Sequence, residues 1–157
     1  MATKVAAKNI LPEIPITLSV VVGDIVIRFG ELERVIFTAM ARVESADTEK
    51  DFLTLVGKYK KIRPLDKLID EAQKVFKGRN FPWIDFDALK RLKDKRNAIH
   101  DALVDDFDGT LTWQASGRRK HRPIEYGELV LLRECVVRTI QHINGGSLQY
   151  KKAPGKK

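Results

Sequence analysis

Apolar side chains recur along residues 18–36 in alternating steps of four and three, as Leu18, Val22, Ile25, Phe29, Leu32 and Ile36. That spacing collects them on one helical stripe, so the pattern predicts a single long helix over Thr17–Val43 whose seam requires another helix. Val20, Val21, Val26, Ile27, Val35 and Phe37 widen the apolar surface beyond a simple seam, which suits a helix packed on two sides, central to a bundle or to a dimer. Gly23 and Gly30 lower helix propensity but allow a neighbouring backbone to come close.

Further along, Ser45-Ala46-Asp47-Thr48 reads as a turn, with Asp47 or Thr48 capping a second helix that reaches about Ile62. Arg63-Pro64 breaks the pattern before a stripe of Leu65, Leu68, Ile69, Ala72, Val75 and Phe76, which Gly78 and Asn80 stop. Asn80-Phe81-Pro82-Trp83 is a loop whose two aromatics are expected to plug one end of the bundle. A helix from Asp85 or Asp87 to about Asp105 follows. Asp108-Gly109 is a tight-turn dipeptide, and Leu111 and Trp113 alternate as in a small β-hairpin or irregular insertion. The closing helix, about Glu125–Asn144, carries Leu129, Leu132, Val136, Ile140 and Ile143 and is expected to end at Gly145-Gly146. The chain therefore reads as all-α, a four-helix bundle with one interrupted helix. Its expected layout is an N-terminal segment 1–16, a single helical domain 17–146 and a basic tail 147–157.

The chemistry concentrates in the fourth pattern. Leu89, Leu92, Ile99 and Leu103 fall on one helical face, and Arg96 sits in the middle of it with His100 at its edge one turn later. A guanidinium on an apolar face needs a carboxylate, water, a second subunit or a phosphate, because burying it alone costs several kcal/mol.

At 157 residues with 43% apolar and 32% charged content, the composition is that of one soluble domain, with no apolar run long enough for a bilayer span. The lone Cys135 cannot form an intramolecular disulfide, and no secretory pattern is readable at the start, so a cytoplasmic location is expected. The net charge of +8 favours an anionic partner. Part of it is concentrated in Arg118, Arg119, Lys120 and Arg122, and part in the Lys151, Lys152, Lys156 and Lys157 tail. No zinc spacing, glycine-rich phosphate loop or nucleophile elbow is present, so no metal or cofactor is expected. Cys135 reads as a small packing residue, and His121 and His142 as surface residues.

Lys95-Arg96-Asn97-Ala98-Ile99-His100, placed late in a helical bundle after a long first helix with Phe29 and Leu32-Glu33, resembles the HEPN superfamily. That resemblance implies a HEPN-like bundle that binds RNA and forms a homodimer. Active members of the family are metal-independent endoribonucleases in which two chains share one cleft, and bacterial toxin–antitoxin and defence systems are the implied setting, with a cognate antitoxin as partner. Carried over, Arg96 would bind or polarise the scissile phosphate, Asn97 would orient the site and His100 would transfer a proton. Lys95 joins Arg118, Arg119, Lys120 and Arg122 as candidate RNA contacts. Three residues separate Arg96 from His100, fewer than the family's four to six, yet an i,i+4 pair still converges from one helical turn. The chemistry is independently reasonable, because RNA supplies its own 2′-hydroxyl nucleophile, Arg can fork two phosphate oxygens and His titrates near neutrality. Two alternatives remain. Arg96 pairs with Asp24, Glu31 or Glu33 of the long helix with His100 hydrogen-bonded nearby, or the chain is a catalytically inactive interaction or nucleic-acid-binding module.

Overall fold

The computed structural model describes residues 16–105, 112–114 and 121–152. These form an all-α architecture with one short ribbon: α1 (Ile16–Thr48), α2 (Phe52–Tyr59), α3 (Leu65–Phe76), α4 (Phe86–Asp105), β1 (Thr112–Gln114), β2 (His121–Pro123) and α5 (Tyr126–Gln149). Helix α1 is the spine, against which α5, α2 and α3 all pack, while α4 rests on α3 and β1. Of the predicted seam, Val22, Ile25, Phe29, Leu32 and Ile36 are all buried in the core, while the side chain of Leu18 lies outside what is described. Beyond Leu32 the burial spreads around the helix, taking in Val35, Ala39, Met40, Ala41 and Val43. That wider belt is what lets α1 carry helices on two sides.

Several boundaries differ from the sequence expectation. Ser45-Ala46-Asp47-Thr48 is not a turn: α1 continues through all four residues and reverses only at Glu49, whose φ is 60°. The extra turn persists because its polar groups are tied to the fold. Tyr59 donates its hydroxyl proton to the buried Glu44 carboxylate, which also takes Lys50 Nζ at 3.1 Å. Asp47 pairs with Arg79 and accepts the Tyr150 hydroxyl at 3.0 Å. Burial, and then the bond to Asp47, raise the Tyr150 pKa above its ordinary value. The cap of α2 is consequently Asp51, which accepts from the Thr54 amide at 2.7 Å, and α2 stops at Tyr59. Pro64 stands at the start of α3, and Gly78, with φ of 76°, stands just beyond its end.

The closing helix also runs past its expected end. It is opened by a reciprocal capping box between Glu125 and Glu128. It then passes straight through Gly145-Gly146 to Gln149, so the expected boundary at 146/147 falls inside a helix. Gly146 is there for packing: a Cβ added to it would lie 2.1 Å from Trp83 Cγ. Trp83 stands edge-on to the buried Phe81 at 5.2 Å, and Phe81 in turn meets Phe76 at 4.5 Å and Tyr150 at 6.2 Å. This aromatic group closes one end of the bundle, and Ser147, Tyr150 and Lys152, assigned to the tail by sequence, are fastened to it or to α1. The ribbon pairs Thr112 with Pro123 and Gln114 with His121 in antiparallel register. Its connection is therefore residues 115–120, whereas the Asp108-Gly109 turn lies outside the described residues.

Gly146→Ala forces a methyl into the Trp83 ring, and overpacking of this kind costs about 1–3 kcal/mol. The expected result is a melting temperature lower by several degrees in a thermal unfolding scan.

Candidate functional site

Helix α4 is started by Asp85, whose carboxylate accepts the Ala88 amide at 3.0 Å. Leu89, Leu92 and Ile99 are buried and fix the rotation of the helix about its own axis. With Ile99 inward, Arg96 and His100 face the N-terminal half of α1. There they line one depression of about 190 Å³, floored by Ile25, Phe29 and Ile99. Arg63, from the connection between α2 and α3, and Glu33 of α1 complete its polar wall.

Glu33 lies between the two guanidiniums. Its Oε1 is 3.8 Å from Arg96 Nη2 and its Oε2 is 3.5 Å from Arg63 Nη1. The carboxylate side chain is 13% exposed and that of Arg96 36%, so the Arg96 pair is half-sheltered while the Arg63 arm stands in water. Two cations around one carboxylate leave the cluster positive, and neither arginine fork is closed on Glu33 with short bidentate geometry. An oxyanion of phosphate size has the donors it needs here, supplied from two different elements. The geometry also meets the structural alternative, in which Arg96 is paired to the long helix, with Glu33 as the carboxylate.

The remaining candidates lie elsewhere. Asn97 is half-buried and does not line the depression. Lys95, about 100° around the helix from Arg96, lines a different groove that faces α5. Arg122 is in β2, and Arg118, Arg119 and Lys120 lie outside the described residues. The sequence reading missed Arg63, which stood out only as the residue before a proline; nothing local connects it to residues thirty or more positions away along the chain. Among the described residues no group of three or more His, Cys, Asp or Glu is arranged to hold a metal ion, and no helix is long and apolar enough to cross a membrane.

Removing the central carboxylate charge tests whether an anion enters between the arginines. Glu33→Gln should strengthen binding of inorganic phosphate roughly severalfold, measured by calorimetry, because the incoming anion no longer competes with or is repelled by a fixed carboxylate. An unchanged affinity would mean that phosphate does not bind between Arg63 and Arg96.

No family model matches this chain, and no curated protein or solved structure matches it either.

Proposed function

We propose that this chain is a HEPN-like RNA-binding protein whose Arg63–Glu33–Arg96–His100 depression receives a phosphodiester and cleaves it without a metal. The observation that carries this reading is the opening of Arg96 and His100 into one positive depression, with Arg63 as a second guanidinium. In such a cleavage the 2′-oxygen bonds to phosphorus as the bond to the 5′-oxygen breaks. The 2′-hydroxyl gives up its proton and the departing oxygen receives one. Arg96 and Arg63 hold the non-bridging oxygens; His100, exposed at the rim, transfers the proton at one of the two oxygens, and solvent water takes or gives the proton at the other. A cytoplasmic location and a cognate antitoxin belong to the same proposal. The contact between Glu33 and Arg96 favours a second reading, an inactive module that binds RNA through this face.

A homodimer completes the proposal. Val20 and Ile27 are 63% and 69% exposed on α1, while Gly23 and Gly30 have nothing within 4 Å of an added Cβ. At 100° per residue these four positions share an arc of about 80°. Antiparallel pairing of two α1 helices about a two-fold axis at position 25 sets Val20 opposite Gly30 of the partner subunit and Ile27 opposite Gly23 of the partner subunit. Each exposed side chain then meets a glycine, and both sets are related by the same axis, as an isologous contact requires. Gly30 also lines the Arg96 depression, so the second copy would stand at the edge of the site.

Two experiments test these statements. In EDTA, His100→Ala should lower RNA cleavage by about 10²–10⁴-fold while retaining much of the binding, and Arg96→Ala should weaken both, with thermal melts to confirm folding. A wild type that binds RNA and cleaves none across a broad panel selects the inactive module. By sedimentation the wild type should be a dimer at micromolar concentration. Ile27→Asp should weaken that dimer by roughly a hundredfold or more, because two copies of the apolar side chain lose their burial.

A further inference from the structure

The other side of α4 carries a larger feature that the RNA reading does not use. Between α4 and α5 lies an open groove of about 530 Å³. Its floor is apolar, made by Leu92, Leu131, Leu132 and Cys135, and Leu131 is 67% exposed there. Arg91 and Lys95 on α4 and Arg138 on α5 stand along the rims, against the single carboxylate of Glu128 among the lining residues. Arg138 also approaches Glu134 of its own helix at 3.7 Å and is 80% exposed, so it remains presented to solvent.

We propose that this groove docks an acidic, amphipathic helix of a partner protein. Both walls repeat at helical spacing. Ala88, Leu92 and Lys95 span two turns of α4, and Glu128, Leu132, Cys135 and Thr139 span three turns of α5. Among the described residues no third helix covers Leu131 in the valley between these two ridges, and a helix laid there presents apolar residues at i, i+3, i+4 and i+7 to the floor. Charge selects the partner. A nucleic acid would reach the rim cations with its phosphates but leave the apolar floor of Leu92, Leu131 and Leu132 without an apolar partner. A second copy related by a two-fold axis through the groove would set Arg91, Lys95 and Arg138 against their own equivalents. Residues 1–15 of this chain carry Lys4 and Lys8 against Glu13, the same sign as the rims. Flanking Glu or Asp on an incoming helix meets the exposed Arg91 and Arg138 at the rims, so acidic flanks supply specificity while the leucines supply contact area.

Cys135, the single cysteine of the chain, is exposed in the groove and reports directly on its occupancy. In the full-length protein its reaction with a thiol reagent should be fast and independent of protein concentration. A short synthetic helix with leucines at i, i+3, i+4 and i+7 and glutamates on its flanks should slow that reaction by about tenfold or more at saturation. The same peptide with lysine in place of glutamate should not. In the Arg91→Glu, Arg138→Glu double variant, altered only at exposed positions, the preference should reverse toward the lysine peptide. Equal protection by both peptides, or by neither, overturns the proposal. So does a thiol that is already shielded in the free protein: shielding relieved by dilution assigns the groove to a second copy, and shielding at every concentration assigns it to the chain's own residues.

Discussion

The two-sided burial of α1 between Leu32 and Glu44 is the constraint on which the rest depends. Leu32, Ile36, Ala39, Met40, Ala41 and Val43 have essentially no exposed surface, so this stretch is enclosed by α2 and α3 as well as by α5. A helix buried over most of its circumference cannot slide or rotate without disturbing every neighbour, since interiors are packed at crystal-like density. Its polar end is held equally firmly. Glu44 and Asp47, one turn apart, collect Tyr59, Lys50, Arg79 and Tyr150, residues from four other parts of the chain. Paired in this way the two carboxylates are tolerated in a sheltered place, and they register the short α2, the loop after α3 and the end of α5 against one helix.

The N-terminal half of α1 has the opposite character. It is buried on one side only, and Asp24, which pairs with Arg133 of α5, anchors that side. What remains free is the strip of Val20, Gly23, Ile27 and Gly30, beside the depression where Glu33, Arg63, Arg96 and His100 meet. The candidate site lies where the helix has surface left. The stable half positions that surface, and the depression inherits its shape from Ile25, Phe29 and Ile99 in the core beneath it.

Helix α4 divides its chemistry between two faces. Lys95 and Arg96 are consecutive, yet one rotation of about 100° sends Lys95 to the apolar groove beside α5 and Arg96 to the depression beside α1. A basic pair that looks like one patch in the sequence therefore serves two surfaces of different character, one mostly apolar with a cationic rim and the other polar and ion-paired. Substitutions at the two positions probe different surfaces, although they are neighbours in the chain.

Much of the fold was legible in the sequence because its signals are local. The α1 seam, a cap at Asp85 as one of the two positions offered, the break at Arg63-Pro64 and the stop at Gly78 each depend on residues within a turn or two, and each is seen in the structure. The same was true of Arg96 and His100, which helical periodicity alone places one turn apart. Tertiary structure decided what local rules could not. Gly145-Gly146 has the chemistry of a helix end, but Trp83, more than sixty residues earlier, needs the missing side chain of Gly146, and the helix continues. Ser45–Thr48 has the composition of a turn, but the partners gathered by Glu44 and Asp47 hold it helical. Arg63 joins the site only because the α2–α3 connection crosses Glu33, and no periodicity carries information over that separation. The sequence by itself determined where the five helices lie and which residues make their buried seams, since those follow from backbone propensity and spacing, but not where α1 and α5 end. Which polar groups meet at the site was decided only by how α4 and the α2–α3 connection are placed beside α1, since an ion pair is set by distance in space.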